Sequence, residues 1–325
     1  MGSKWYILAL RTLLVEILIL MALGAFVRTM NAGLACPDWP LCFGKVIPDF
    51  HPGVWYEFIH RADAGLVAIT YFILAGICFF SKSSRAPLKP LALAGLITLL
   101  LLISAGAMTV LKQVAWLAVT THLGLATTFF ILVMTLMYRL DPRIKQPTAE
   151  PAPRWLRWCA GIYSGLIFIQ ILLGGKVAST YAGQVCVDWP LCNGQWVPTW
   201  EGAIGTQIIH RFTAYALALI GIALASFVFL NRKRRWVSPQ LRRVSIFLAL
   251  AVVAQVVLGI LNLIYFIPPW LTVPHQSLAV ILLATSVRFW GEVPGSHCRS
   301  SAPSVTPLPD DQPSPQPPGG FGKSG

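Results

Sequence analysis

The sequence predicts an all-α integral membrane protein of eight transmembrane helices, arranged as two parallel-repeat four-helix bundles. Three observations predict it. The 325 residues are 56% hydrophobic and only 11% charged, with a mean hydropathy of +0.67; a soluble domain carries about 25% charged residues. The apolar residues fall into eight blocks, each near the roughly 20 residues that cross a bilayer. A signature also recurs: Cys36-Pro-Asp-Trp-Pro-Leu-Cys42 returns as Cys186-Val-Asp-Trp-Pro-Leu-Cys192, and His60-Arg61 returns as His210-Arg211, each 150 residues later.

The spans are expected near 8–28, 58–80, 90–111, 117–138, 155–176, 206–230, 243–265 and 272–290. The first block is too long for a signal peptide and no small-residue cleavage site follows it, so it reads as a retained helix. Each half is one helix, a long outer loop and three further helices. The N-terminal half spans 1–139 and the C-terminal half 154–293. Between them, 140–153 holds Pro142, Pro147, Pro151 and Pro153; proline lacks a backbone donor, which makes this a linker loop. The tail 294–325 is rich in Pro, Ser and Gly and is expected to be disordered, having too little apolar surface to offset chain entropy. Four spans per half is an even number. Both copies therefore share one orientation, related by an axis along the membrane normal.

A net charge of +13 invites a nucleic-acid partner. Position argues for membrane lipid instead. With the N-terminus inside, only Arg28, Lys45, Arg61, Lys112, Lys176 and Arg211 of the 25 basic residues fall on outer segments. The rest, including Arg232-Lys-Arg-Arg235, fall inside. That bias predicts a multi-pass cell-membrane protein with both termini cytoplasmic and the cysteine loops outside.

The outer compartment permits disulfides. Cys36 with Cys42, and Cys186 with Cys192, each close a short segment stiffened by Pro and Trp. A structural disulfide, a redox-active dithiol and a metal site are the readings that remain open. The shared Asp38/Asp188, Trp39/Trp189 and Pro40/Pro190 suit a loop that must keep its shape, such as a lid. Cys78 and Cys159 lie in apolar runs and are expected to be small buried residues; Cys298 has no repeat partner.

Four histidines occupy matching places. His60 and His210 are expected to start the second and sixth helices, and His122 and His275 the fourth and eighth. His51 and His297 have no counterpart. Ionisable groups inside spans tend to mark function. Two imidazoles at one depth, on adjacent helices of a bundle, can ligate a haem iron, which pairs His60 with His122 and His210 with His275. Zinc would want a further Cys, His or carboxylate, and a proton relay would use imidazole titration. Arg61 and Arg211 follow their histidines directly, as propionate contacts through a bidentate fork or as snorkelling interfacial residues. Gly65, Gly124, Gly174, Gly175 and Gly259 leave room for helices or a flat macrocycle.

The two copies differ one helical turn before the first histidine, where Glu57 stands opposite Gln207. A carboxylate can take a proton or stabilise a developing cation, while an amide can only hydrogen-bond. The first half is therefore expected to hold the reacting molecule and the second a fixed redox cofactor.

These residues carry a family pattern. Asn31-Ala-Gly-Leu-Ala-Cys-Pro-Asp-Trp-Pro-Leu-Cys42, Glu57-Phe-Ile-His-Arg61, Thr121-His-Leu-Gly124, Cys186 to Cys192, His210-Arg211 and Pro274-His-Gln276 together resemble the haem A synthase family, the CtaA/Cox15 type, over residues 8–290. The resemblance implies an oxidoreductase that converts the C8 methyl of haem O to a formyl group, giving haem A for terminal oxidases. It implies substrate haem near His60 and His122, haem b ligated by His210 and His275, and a catalytic Glu57. Two outer disulfides, Cys36–Cys42 and Cys186–Cys192, occur in members that keep both pairs. A haem O synthase delivering the substrate and an electron acceptor are the implied partners. The competing classes are a quinone-linked thiol–disulfide oxidoreductase, a bis-histidine electron-transfer cytochrome b and a transporter.

Overall fold

A computed structural model describes residues 2–80, 86–141 and 150–295. Its long helices are α1 (Gly2–Thr29), α2 (Pro52–Phe80), α3 (Lys89–Leu111), α4 (Trp116–Leu140), α5 (Arg154–Ser179), α6 (Gly202–Leu230), α7 (Pro239–Ile264) and α8 (Pro269–Glu292). All eight are long and apolar enough to span a membrane. Among the described residues the only other regular segments are short 3₁₀ turns at Ala86–Leu88 and Ala182–Gln184 and one isolated bridge in each cysteine loop. Proline marks several starts, where its missing N–H has no helical partner to lose: Pro52 opens α2, Pro239 opens α7 and Pro269 opens α8. Ser238 also caps α7, its hydroxyl accepting from the Leu241 N–H at 2.9 Å.

The helices close into two rings. In the first, α1 packs on α2, α2 on α3, α3 on α4 and α4 back on α1; α5 to α8 repeat the circuit. The rings meet where α1 touches α8 and α4 touches α5, with α4 and α8 also in contact. Exchanging the halves turns the first of these contacts into the second, as a two-fold relation between parallel copies requires. Equivalent residues also meet at this seam: Arg28 donates to the Ala178 carbonyl at 2.6 Å, and the Tyr181 hydroxyl to Asn31 Oδ1 at 3.3 Å. The backbone repeats in detail. Asn31 and Tyr181, Phe43 and Asn193, and Gly44 and Gly194 adopt positive φ in pairs, and Trp39–Pro40 and Trp189–Pro190 are both cis.

Each ring has its own core, gathered away from the cysteine loops. Tyr6, Leu10, Tyr71, Phe129 and Leu136 fill the first, and Leu156, Tyr163, Leu241, Leu248 and Phe289 the second. Buried tyrosines bond to helix carbonyls, Tyr6 to Leu74 at 2.8 Å and Tyr163 to Leu217 at 3.1 Å, which removes the penalty of an unpaired hydroxyl in an apolar interior. Arg11 on α1 pairs with the buried Asp141 beyond α4. Leucine, isoleucine and valine face outward along the spans, as at Leu8, Val15, Leu66, Ile73, Leu100 and Leu250; bilayer covers such surface.

One expectation changes here. Cys78 is buried, but Cys159 is exposed, because α5 turns Leu156, Ala160 and Tyr163 inward and leaves position 159 off that stripe. The expected tail, with His297 and Cys298, lies outside the described residues from 296 onward. Of the expected linker, 142–149 lies outside them as well.

Candidate functional site

The four histidines lie deeper than hydropathy suggests. Helix α2 begins at Pro52 rather than near 58, and α6 at Gly202 rather than near 206. Turns such as Val54-Trp-Tyr-Glu57 are too polar for a hydropathy window yet continue the helical bonding. His60 and His210 therefore sit eight residues into their helices, about 12 Å along the axis, and His122 and His275 six residues in, about 9 Å. None starts its helix.

Glycine seats each imidazole. An added Cβ would stand 3.0 Å from His60 Cε1 at Gly24, 3.2 Å from His122 Cε1 at Gly106, 3.3 Å from His210 Cε1 at Gly174 and 3.1 Å from His275 Cε1 at Gly259. Every ring thus packs on bare backbone of the preceding odd-numbered helix. Gly24 and Gly106 escaped the sequence reading, although each stands at the repeat offset from Gly174 or Gly259. The other small residues serve differently. A Cβ added at Gly124 would stand 2.9 Å from Leu172 and one at Gly175 3.0 Å from Leu123, across the seam between halves, while one at Gly65 would meet nothing within 4 Å. Gly174→Val is expected to displace His210 and cost about 1–3 kcal/mol through overpacking, read as a lower thermal-unfolding midpoint in detergent.

Helices α2 and α4 stand diagonally in the first ring and α6 and α8 in the second, not side by side as expected. His210 and His275 line one cavity, and His60 and His122 take the corresponding places in the first ring. The Nδ1 atoms of His60, His122 and His275 are buried without a hydrogen-bond partner. His210 Nδ1 instead lies 3.0 Å from Gln170 Nε2. Among the described residues no three or more His, Cys, Asp or Glu side chains cluster to hold a metal ion. Two glycine-seated imidazoles per half, with no third donor, fit a planar macrocycle that needs only axial ligands.

In the second half a cavity of about 330 Å³ contains His210 and His275 in its wall, with Gln170 and Gln207. Arg28, from the first half, also lines it. Its guanidinium lies 4.6 Å from the Tyr181 ring centroid, and its Nε is buried and unpartnered. No local motif marks Arg28, because its place in the other half's cavity follows from how the rings dock.

Above the histidines the cysteines are joined, Cys36 to Cys42 with S–S 2.02 Å and Cys186 to Cys192 with 1.99 Å. Asp38 accepts from the Phe43 N–H at 2.6 Å and the Gly44 N–H at 2.8 Å, and Asp188 does the same with Asn193 and Gly194. The N–H donors, Gly44 and then Phe43, hold the Asp38 carboxyl below its ordinary range; Gly194 and Asn193 act likewise on Asp188.

The arginines read as propionate contacts or snorkelling residues hold these loops. Arg61 Nη1 donates to the Asp38 and Leu41 carbonyls at 2.7 and 2.8 Å, and Nη2 to Cys36 O at 3.1 Å and Glu57 Oε1 at 2.5 Å. Arg211 makes the matching bonds to Asp188, Leu191 and Cys186 at 3.2, 2.9 and 2.9 Å. With both Nη atoms spent on loop carbonyls, each arginine is foremost a clamp. Glu57 completes the first clamp: only 4% exposed, it also accepts the Cys36 N–H on Oε2 at 2.8 Å. In the second half Gln207 Oε1 is buried and unpartnered. The structure therefore places the one difference seen in sequence between a disulfide loop and a histidine.

The profile of the COX15-CtaA family, described as cytochrome oxidase assembly protein, matches residues 5–287. A protein of Shewanella oneidensis named Heme A synthase is 30% identical over 314 residues, covering 86% of this chain and 93% of that one. Proteins of the same name from Paracoccus denitrificans and Caulobacter vibrioides are 28% and 29% identical, covering 85% and 83% of this chain and 84% and 90% of their own length.

Proposed function

The chain belongs to the COX15-CtaA family of cytochrome oxidase assembly proteins, and from that membership we infer that it is a haem A synthase, a multi-pass membrane enzyme of haem A biosynthesis. The supporting observation is the duplicated, glycine-seated histidine pair in a chain that matches such synthases over most of its length.

The finer reading is ours. The N-terminal half, 1–139, takes haem O between His60 and His122. The C-terminal half, 154–293, holds haem b between His210 and His275. Both termini lie in the cytoplasm and the disulfide loops outside. When bound, haem b would supply one-electron redox chemistry. The protein's own groups do the rest. The diagonal histidines would hold each macrocycle, the glycines let the imidazole rings seat, and the clamped loops would cover the sites on the outer side. Arg28 and Arg211 both line the second cavity, and Arg28, whose Nε is buried and unpartnered, is the one suited to a propionate. Oxidising the C8 methyl to a formyl, with its oxygen taken from water, would release electrons and protons, and Glu57 is the carboxylate suited to take a proton or stabilise positive charge beside the first macrocycle.

Pigment extracted from the purified membrane protein and examined by absorption and mass tests this reading. Haem b together with haem O or haem A is expected. Haem b alone would leave an electron-transfer cytochrome, and a fully folded preparation without haem would leave a thiol–disulfide enzyme.

A further inference from the structure

The two disulfide loops are built alike but rest on different helix surfaces. In the C-terminal half the Trp189 indole N–H donates to the Tyr215 hydroxyl at 2.8 Å. Both residues line the cavity that holds His210 and His275. Phe212 stands one turn before Tyr215 on the same face of α6. It packs against the cluster of Cys186, Cys192 and Ile208, and its ring centroid lies 6.4 Å from that of Trp200. Two rings of α6 thus meet two rings of the loop along the flank of the cavity.

In the N-terminal half the repeat offset puts Gly65 in place of Tyr215 and Ala62 in place of Phe212. Trp39 remains, on a loop with the same aspartate turn and arginine clamp, but position 65 offers it neither ring nor hydroxyl. Phe50, in place of Trp200, is 80% exposed and lies against Trp55 instead, 5.8 Å between centroids. Ala62 and Gly65 are exposed, and a Cβ added at Gly65 would meet nothing within 4 Å. Leu66 and Ile69 beside them also face outward. Gly65 lies thirteen residues into α2, about 20 Å along the axis, a depth at which a bilayer presents acyl chains rather than water.

We propose that the open flank at Ala62 and Gly65 takes the isoprenoid tail of a haem that comes from the bilayer, and that Phe212 and Tyr215 fill the counterpart of this flank so that the second site admits a haem without a tail. The proposal rests on haem O occupying the first half and haem b the second. Haem O carries a long apolar chain where haem b has one small substituent. A macrocycle held between His60 and His122 keeps that chain in lipid only if the side chains around it leave a gap at bilayer depth. Alanine and glycine leave one; in the second half Tyr215, bonded to Trp189, occupies that place. Discrimination comes from rings that would clash with a tail, not from added contacts to the macrocycle. The four positions 62, 65, 212 and 215 therefore determine which haem each half accepts.

The test compares wild type with two double variants, Ala62→Phe with Gly65→Tyr and Phe212→Ala with Tyr215→Gly. Each is produced in cells that supply both haems and purified in detergent. Haem b and the tail-bearing haems, O plus A, are then measured per polypeptide by mass. The first variant should lower tail-bearing haem relative to haem b about tenfold or more. Total haem per polypeptide should stay near the wild-type value, because haem b still fits the first site. The second variant should raise tail-bearing haem relative to haem b, since both sites then accept it. An unchanged ratio in either variant overturns the proposal. So does an equal loss of both haems in the first variant, which would make packing the cause and not the tail. If the first variant does not assemble, the second decides: no gain in tail-bearing haem overturns the proposal. Tail-bearing haem that stays at the wild-type level in His60→Ala would instead overturn the assignment of haem O to the first half, a separable result.

Discussion

Replacing His210 or His275 with alanine is expected to remove the resident b-type spectrum, and with it all formyl production. Each ring is one of only two imidazoles in its half, so its loss leaves one axial ligand. The cavity then retains an apolar slot, which holds a porphyrin weakly and without a low-spin signature. The scaffold should survive. The second core, around Leu156, Tyr163, Leu241 and Phe289, lies away from the histidines, and the Cys186–Cys192 loop is clamped by Arg211 rather than by His210. His60→Ala and His122→Ala should behave differently: haem b stays, while haem O binding and turnover are lost. Absorption spectra of the four purified variants check both statements. A b-type spectrum that survives in both His210→Ala and His275→Ala would refute the ligand assignment.

Glu57→Gln is the second large effect. The variant should keep haem b but lose formyl production by at least about 10²-fold, the scale of a lost general acid–base group. Its geometry complicates the interpretation, because Glu57 is also structural. One oxygen takes Arg61 and the other the Cys36 N–H. An amide has a single acceptor oxygen, so the variant leaves one of these donors facing an NH₂ group, at a cost of about 1–3 kcal/mol. Arg61→Gln separates the two roles. It breaks the same clamp while sparing the carboxylate. If Glu57 handles protons, Arg61→Gln should retain far more activity than Glu57→Gln when haem product is measured by mass. Equal losses would make the clamp the reason, and a fully active Glu57→Gln would remove the catalytic role altogether.

Much of the fold was legible because the signals are local. A span needs only a run of apolar residues long enough for the bilayer, and a repeat needs only two alignable stretches. The disulfide loops were legible for the same reason, since the partners in each lie only six positions apart. Helix starts were less so. Trp55, Tyr56 and Glu57 lower the hydropathy without interrupting the backbone bonding, which is why His60 proved to lie two turns inside α2.

The sequence by itself determined the eight spans, the duplication, the four histidines and the change from Glu57 to Gln207, all properties of residue type and position along the chain. Only the tertiary structure decided what those residues touch. It set Gly24 and Gly106 beneath their imidazoles, turned Arg61 and Arg211 onto loop carbonyls, carried Arg28 into the other half's cavity, and laid Gln170 beside His210. The physical reason is rotational. Hydropathy fixes that a helix crosses the bilayer, but lipid is as apolar as a leucine-lined interface. Which face turns inward, and toward which neighbour, is settled by packing and hydrogen bonds between helices.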